Sequence, residues 1–145
     1  MIKFLFILVA TTTSFLIVSR TAAISLHSNA TGLRLSFSEL ENISANEFVH
    51  AQNLTWIYLN HNKLKTLDND LFVNQTKLIE LNLNGNQLSE INSQLFRGQT
   101  NLRFLFLSSN QIVAIHRDAF KTLSQLGYLF LDNNNLTNVS SKTFH

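Results

Sequence analysis

At 145 residues, 45% of them hydrophobic and 14% charged, the chain has room for one domain and is neither a disordered tail nor a multi-span membrane protein. The absence of Cys rules out thiol catalysis and thiolate zinc sites. The formal net charge of +2 comes from 11 basic and 9 acidic residues. Setting aside Lys3 and Arg20 balances the two signs, so the charge carries no nucleic-acid footprint.

The N-terminal segment opens with Lys3, continues as an apolar run from Phe4 to Val18 broken only by Thr11, Thr12, Thr13 and Ser14, and ends in Thr21-Ala22-Ala23. A positive start, a short apolar stretch and small residues are the order of a secretory signal. Residues 1–23 are therefore expected to be a signal peptide cleaved after Ala23, with 24–29 a short lead-in. The run is close to the lower limit for spanning a bilayer, but Arg20 and the Thr cluster argue against an uncleaved anchor. A membrane is expected as a partner only if the full-length product carries an anchor elsewhere. A buried leader helix is excluded, because nothing downstream offers it a partner face.

From Ala30 onward the chain falls into rows of 24 residues without an insertion, at 30–53, 54–77, 78–101, 102–125 and an incomplete 126–145. Leu33, Ile57, Leu81, Leu105 and Leu129 share the fourth column, and Leu35, Leu59, Leu83, Leu107 and Leu131 the sixth. Alternation at this spacing is the period of a strand with one face buried. Leu40, Leu64, Leu88, Ile112 and Leu136 form column eleven, Ile43, Leu67, Ile91, Ile115 and Val139 column fourteen. Phe48, Phe72, Phe96, Phe120 and Phe144 form column nineteen, a predicted spine of rings. No row can bury its apolar side alone, so the rows must stack.

Column nine reads Ser38, Asn62, Asn86, Asn110 and Asn134. Here the chain leaves the strand, and the backbone groups of that bend face the core and must be paired. An Asn side chain supplies both donor and acceptor, so Asn62, Asn86, Asn110 and Asn134 are read as a structural ladder. Asn84, two residues before Asn86, is expected outside the core. Ser38 for Asn and Ala30 for Leu mark the first row as the ragged end of the stack.

The pattern Leu-x-x-Leu-x-Leu-x-x-Asn-x-Leu over residues 30–145 resembles the leucine-rich repeat family, in its typical 24-residue extracellular subtype. The resemblance implies an α/β-type solenoid, a horseshoe with a parallel β-sheet on the concave face and irregular or short helical turns on the convex face. Two departures stand out. Extracellular members usually close both ends with Cys-rich caps, and this chain has no Cys. Its fifth row stops at His145, which leaves an apolar edge open. The chain is expected either to be part of a longer protein or to have that edge covered by a partner, edge-to-edge self-association at the uncapped C-terminus included.

Catalysis finds no constellation. His27, His50, His61, His116 and His145 fall in different columns with no metal-ligand spacing, and Gly32, Gly85, Gly98 and Gly127 form no phosphate loop. No enzyme, metal or cofactor is expected, and His61 is read as a solvated loop residue. Asn29, Asn42, Asn53, Asn74, Asn135 and Asn138 each begin an N-x-S/T glycosylation triplet, all outside the ladder column.

The outward columns of the sheet carry the binding reading. Column three holds Gly32, Trp56, Glu80, Phe104 and Tyr128, and column five Arg34, Tyr58, Asn82, Phe106 and Phe130. Six of these ten positions are aromatic, where a solvated sheet face usually places polar residues. Such a patch marks an interaction surface, so Trp56, Tyr58, Glu80, Phe104, Phe106, Tyr128 and Phe130 are the expected partner-binding residues. Glu80 stands between the rings, either as a seat for a ligand cation or as a charge kept for solubility. The chain thus reads as a secreted or cell-surface module for recognition or adhesion, taking a protein or glycoprotein ligand and no nucleic acid. The Leu-Phe and Gln-Thr pairs of Leu71–Thr76 and Leu95–Thr100 are similar to those of arthropod secreted immune repeat proteins. A matrix scaffold resembling small leucine-rich proteoglycans, or an N-terminal fragment of an ectodomain resembling Toll-like receptors, are the competing expectations.

Overall fold

The structure, a computed structural model, describes residues 7–10, 15–18, 29–137, 139 and 143. In chain order its strands are β1 (Ile7–Ala10), β2 (Phe15–Val18), β3 (Gly32–Arg34), β4 (Trp56–Tyr58), β5 (Glu80–Asn82), β6 (Glu90–Ile91), β7 (Phe104–Phe106), β8 (Ala114–Ile115) and β9 (Tyr128–Phe130). Strands β3, β4, β5, β7 and β9 pair in parallel, one per row, in a register that aligns Gly32, Trp56, Glu80, Phe104 and Tyr128. The 24-residue spacing thus becomes a lateral spacing of about 4.8 Å between neighbouring strands. On the opposite side of the coil the described residues make turns, a 3-10 segment at Ala45–Glu47 and the short parallel pair β6–β8.

Two pieces of the expected leader lie in this sheet. β1 pairs antiparallel with β3, Val9 opposite Leu33, and β2 pairs antiparallel with β1. The sequence offers the leader no apolar face, but the first row has an unpaired strand edge, and an edge recruits backbone rather than side chains. The cleavage point after Ala23 lies outside the described residues.

Between the sheet and the outer turns runs one continuous core. Leu33, Ile57, Leu81 and Leu105 are fully buried, as are Leu35, Leu59, Leu83 and Leu107. Their fifth-row counterparts Leu129 and Leu131 are only partly buried, since no described strand follows β9. Phe48, Phe72 and Phe96 are buried completely and Phe120 nearly so. Ring centroids are 6.3 Å apart for Phe48–Phe72 and 6.2 Å for Phe96–Phe120. Phe144, the fifth member of that column, lies outside the described residues.

The bend after each strand is held from both sides by column nine. Asn62 donates from Nδ2 to the carbonyls of Leu35 and Leu59, both at 2.8 Å, and its Oδ1 accepts from the N–H groups of Ser38 and Leu40. Asn86 donates to Leu59 and Leu83 at 3.0 Å and accepts from Leu64 N–H at 3.2 Å. Asn110 and Asn134 repeat the arrangement one and two rows on. Each amide therefore clamps its own strand end to the row before it.

Column eight, just ahead of the ladder, is left-handed throughout: Phe37, His61, Gly85, Ser109 and Asn133 have φ between 56° and 66°. A second ladder runs along the spine. Gln75 Nε2 donates to Phe48 O at 2.8 Å and Gln99 Nε2 to Phe72 O at 2.5 Å; in the fourth row Thr122 Oγ1 donates to Phe96 O at 2.8 Å. Asn84 lies outside the core, as expected, but takes part in the bonding between rows. Its Oδ1 accepts from Ser108 N–H at 2.7 Å, because the seventh column sits where the backbone of the next row still lacks a partner.

These bonds predict a graded series. Asn86→Ala leaves the buried Leu64 N–H without its acceptor and takes one of two donors from the Leu59 and Leu83 carbonyls; it should cost about 1–3 kcal/mol, Asn84→Ala about 1 kcal/mol, and exposed Asn46→Ala no more than about 0.5 kcal/mol. Equilibrium urea unfolding of the three variants checks the order. A cost at Asn86 no larger than that at Asn46 would contradict the clamp.

Candidate functional site

Side chains of a strand alternate, so burial of columns four and six turns columns three and five outward. The aligned register then sets like columns side by side. Phe104 and Tyr128 stack with centroids 5.0 Å apart and planes 4° from parallel; Phe106 and Phe130 stack at 4.8 Å and 2°. Phe104 and Phe106 are half-buried, whereas Tyr128 is 57% and Phe130 40% exposed. The four rings form a two-by-two block on the C-terminal half of the face.

The N-terminal half is arranged differently. The Trp56 indole folds over Gly32, whose missing side chain makes the room: a Cβ built there would fall 1.9 Å from Trp56 Cε2. Trp56 also packs against Tyr58, centroids 4.9 Å apart at 41°. The Arg34 guanidinium carbon lies 5.2 Å from the centre of the Tyr58 ring, within reach of a cation–π contact. The Glu80 carboxylate acts on the Tyr58 hydroxyl. Burial raises the Tyr58 phenol above its ordinary value, the bond to Glu80 and its charge raise it further, and Arg34 opposes them. Trp56 and Tyr58 thus pack at an angle to each other, whereas the four rings of the block stack in parallel pairs.

The remaining site candidates are spread around the coil. Asn29, Asn42, Asn74 and Asn135 are exposed, and Asn53 is half-buried with its Oδ1 accepting from Lys77 Nζ at 2.6 Å. Asn138 lies outside the described residues. None of the described ones sits in the two ring columns. His61 is exposed, but its ring stacks on Phe37 at 4.4 Å and 13°, and it leans across Gly85. Phe37, 69% exposed, is the most exposed large apolar residue of those described. Sequence reasoning missed this pair; the signal was Gly85 and Asn133 in column eight, residue types that favour the left-handed turn. Among the described residues there is no group of three metal-ligating side chains and no helix long and apolar enough to cross a membrane.

The comparisons with known proteins agree on the fold. The leucine rich repeat family profile matches residues 52–112 and 100–145. No curated protein sequence matches the chain. Among solved structures, the chain is similar to Toll in the Toll–Spatzle complex, described as a hub in Drosophila development and innate immunity. There the identity is 30% and the TM-score 0.67, over 71% of this chain and 15% of that one. It is 32% identical to the TLR13 complex with ssRNA13, TM-score 0.72, over 78% of this chain and 16% of that one. With the leucine-rich repeat domain of APL1 the identity is 29% and the TM-score 0.71, covering 74% and 28%. The chain thus spans less than a third of each of these structures. It belongs to the leucine-rich repeat family, and its fold is the parallel-sheet solenoid of that family's horseshoes.

The Tyr58 arrangement predicts a pH dependence. A phenol whose pKa is raised by folding favours the neutral form in the native state, so its contribution to stability is full below about pH 10 and is lost as pH rises through the folded value. Labelled-tyrosine NMR should show Tyr58 titrating above the ordinary range, and Glu80→Gln should bring it down. An unchanged Tyr58 titration in that variant would mean that Glu80 does not hold the hydroxyl.

Proposed function

We propose that this leucine-rich repeat chain is an extracellular binding module, secreted or held at the cell surface, that takes a protein or glycoprotein partner on the ring block of its sheet. One observation carries the reading: two ring pairs stack in parallel, side by side, on the outward face of the sheet. Tyr and other aromatics are the residues that anchor protein interfaces, because they bury a large area with few rotatable bonds. Trp56 and Tyr58 are the secondary contacts, since the indole is folded over Gly32 and the phenol ring carries Arg34.

Charge supports protein over nucleic acid. Among the described residues, columns three, five and seven carry a single cation, Arg34, and it is engaged on Tyr58. Phosphate-rich ligands call for clustered Lys and Arg. The similarity to Toll, in complex with Spatzle, favours recognition over a matrix scaffold. The leader and the N-x-S/T triplets fit passage through the secretory pathway. Removal of residues 1–23 would free the outer edge of β3.

Expression in a secretory cell should place the chain in the medium, starting near Ile24 and reduced in mass by glycosidase. Recovery only as an uncleaved, unglycosylated cytosolic species would overturn the extracellular assignment. A partner crosslinked to the secreted chain should be recovered at least about 30-fold less well by Tyr128→Ala or Phe106→Ala, an effect on the order of 2 kcal/mol. Equal recovery by folded variants would remove the ring block from the interface.

A further inference from the structure

The ring block has carboxylates at its borders and cations turned away. Glu80 is in register with Phe104 across the β5–β7 pair, on the side of that ring not covered by Tyr128. Asp132 follows Phe130 by two residues and shares its side-chain parity. Its carboxylate accepts from Ser108 Oγ and, at 3.1 Å, from Asn133 Nδ2, neutral donors that fix its position and leave its charge in place. Glu80 has the neutral Tyr58 hydroxyl, one strand over, as its neighbour on the other side. Arg103, next to Phe104 in the chain, has the opposite parity and lines a lateral groove with Lys77 and Ile79. Arg34 lies at the far end of the face, over Tyr58.

Electron-rich ring faces attract a cation, and an acid beside each ring adds to that attraction. Of the two basic side chains, arginine suits the site better. Its guanidinium is planar, is weakly hydrated, stacks on rings and presents a fork of N–H groups that a fixed carboxylate can accept, whereas an ammonium is a strongly hydrated point charge. Spacing agrees as well. The two seats are about 6.7 Å apart along the strands and about two strand spacings apart across them, on the order of 12 Å, a span that long arginine side chains on alternate residues of an extended peptide cover by splaying.

We propose that the block seats arginine side chains of an extended basic segment of the partner protein, one guanidinium on the open side of Phe104 beside Glu80 and another on Phe130 beside Asp132. The inference rests on the reading of the ring block as the partner surface, and it adds what that surface selects.

The test uses the secreted, isotopically labelled chain and two peptides, Ac-Ala-Arg-Ala-Arg-Ala-NH2 and its citrulline counterpart, which keeps the shape and loses the charge. Titration followed by NMR should show saturable shifts at Phe104, Phe106, Tyr128 and Phe130 with the arginine peptide. The citrulline peptide should bind at least about tenfold more weakly, the size expected for a ring–cation contact reinforced by a carboxylate. Glu80→Gln and Asp132→Asn should each weaken the arginine peptide several-fold at unchanged ring packing, with added salt acting in the same direction. Equal binding of the two peptides, or shifts confined to residues outside the block, would overturn the proposal. The peptide comparison needs no variant, so it stands even where a substitution disturbs the fold. Should partner recovery still depend on Tyr128 while arginine and citrulline bind alike, the surface keeps its role and the arginine assignment falls.

Discussion

A short strand that turns sharply out of its sheet carries polar backbone groups into an apolar interior, and each unpaired one costs on the order of a hydrogen bond. Three-residue strands make the problem acute here, because so little of each row is paired by the sheet itself. The asparagine amide answers it with two donors and an acceptor placed at the bend. Asn86 joins Leu59 of one row, Leu83 of its own and Leu64 on the outward leg. The clamp spans two rows, so it fixes the vertical offset between them. A slip of one residue would take the buried Leu64 N–H from its acceptor and turn every leucine of the row to solvent.

Fixed offset is what turns a repeated sequence into a patterned surface. Once Phe104 and Tyr128 occupy the same column, the register brings their centroids to 5.0 Å with nearly parallel planes, and no further adjustment is needed to stack them. The block is therefore a consequence of the ladder as much as of its own residues. Its rigidity has the same source: the rings stand on a sheet whose inner side is packed by Leu105 and Leu107 at full burial. A preorganised aromatic surface loses little side-chain freedom on binding, and that is why such residues dominate interfaces.

Most of this order was legible in the sequence because a 24-residue period converts position into environment. The buried columns, the ring spine and the outward aromatics follow from alternation and from the asparagines alone. What escaped notice were features set by the neighbouring row rather than by the residue's own position. Asn84 looks idle along its own strand, yet the bond it accepts comes from Ser108, a full row later. Gln75 and Gln99 pass as surface residues until the spine carbonyls of Phe48 and Phe72 come within reach. Phe37 and His61 occupy a left-handed turn that bulky residues seldom adopt, and only Gly85 and Asn133 in the same column hinted at it. The edge pairing of β1 on β3 was hidden because apolar composition says nothing about which backbone is free.

The aromatic residues pack differently in the two halves of the outward face, and the cause is steric. In the first row column three is Gly32, so Trp56 has no lateral neighbour to stack against and collapses into the vacancy, taking Tyr58 with it. In the last rows column three is filled by Phe104 and Tyr128, which prop each other upright and leave no gap to fall into. The same six aromatic residues thus yield two different surfaces, and the difference lies in a glycine rather than in the rings. Arg34 and Glu80 engage Tyr58 from above and beside. A side chain in place of Gly32 would push the indole outward, at the expense of the contacts that now hold Trp56 in place. The position of the glycine therefore sets how the rings of the first rows pack, independently of how many aromatic residues the sequence contains.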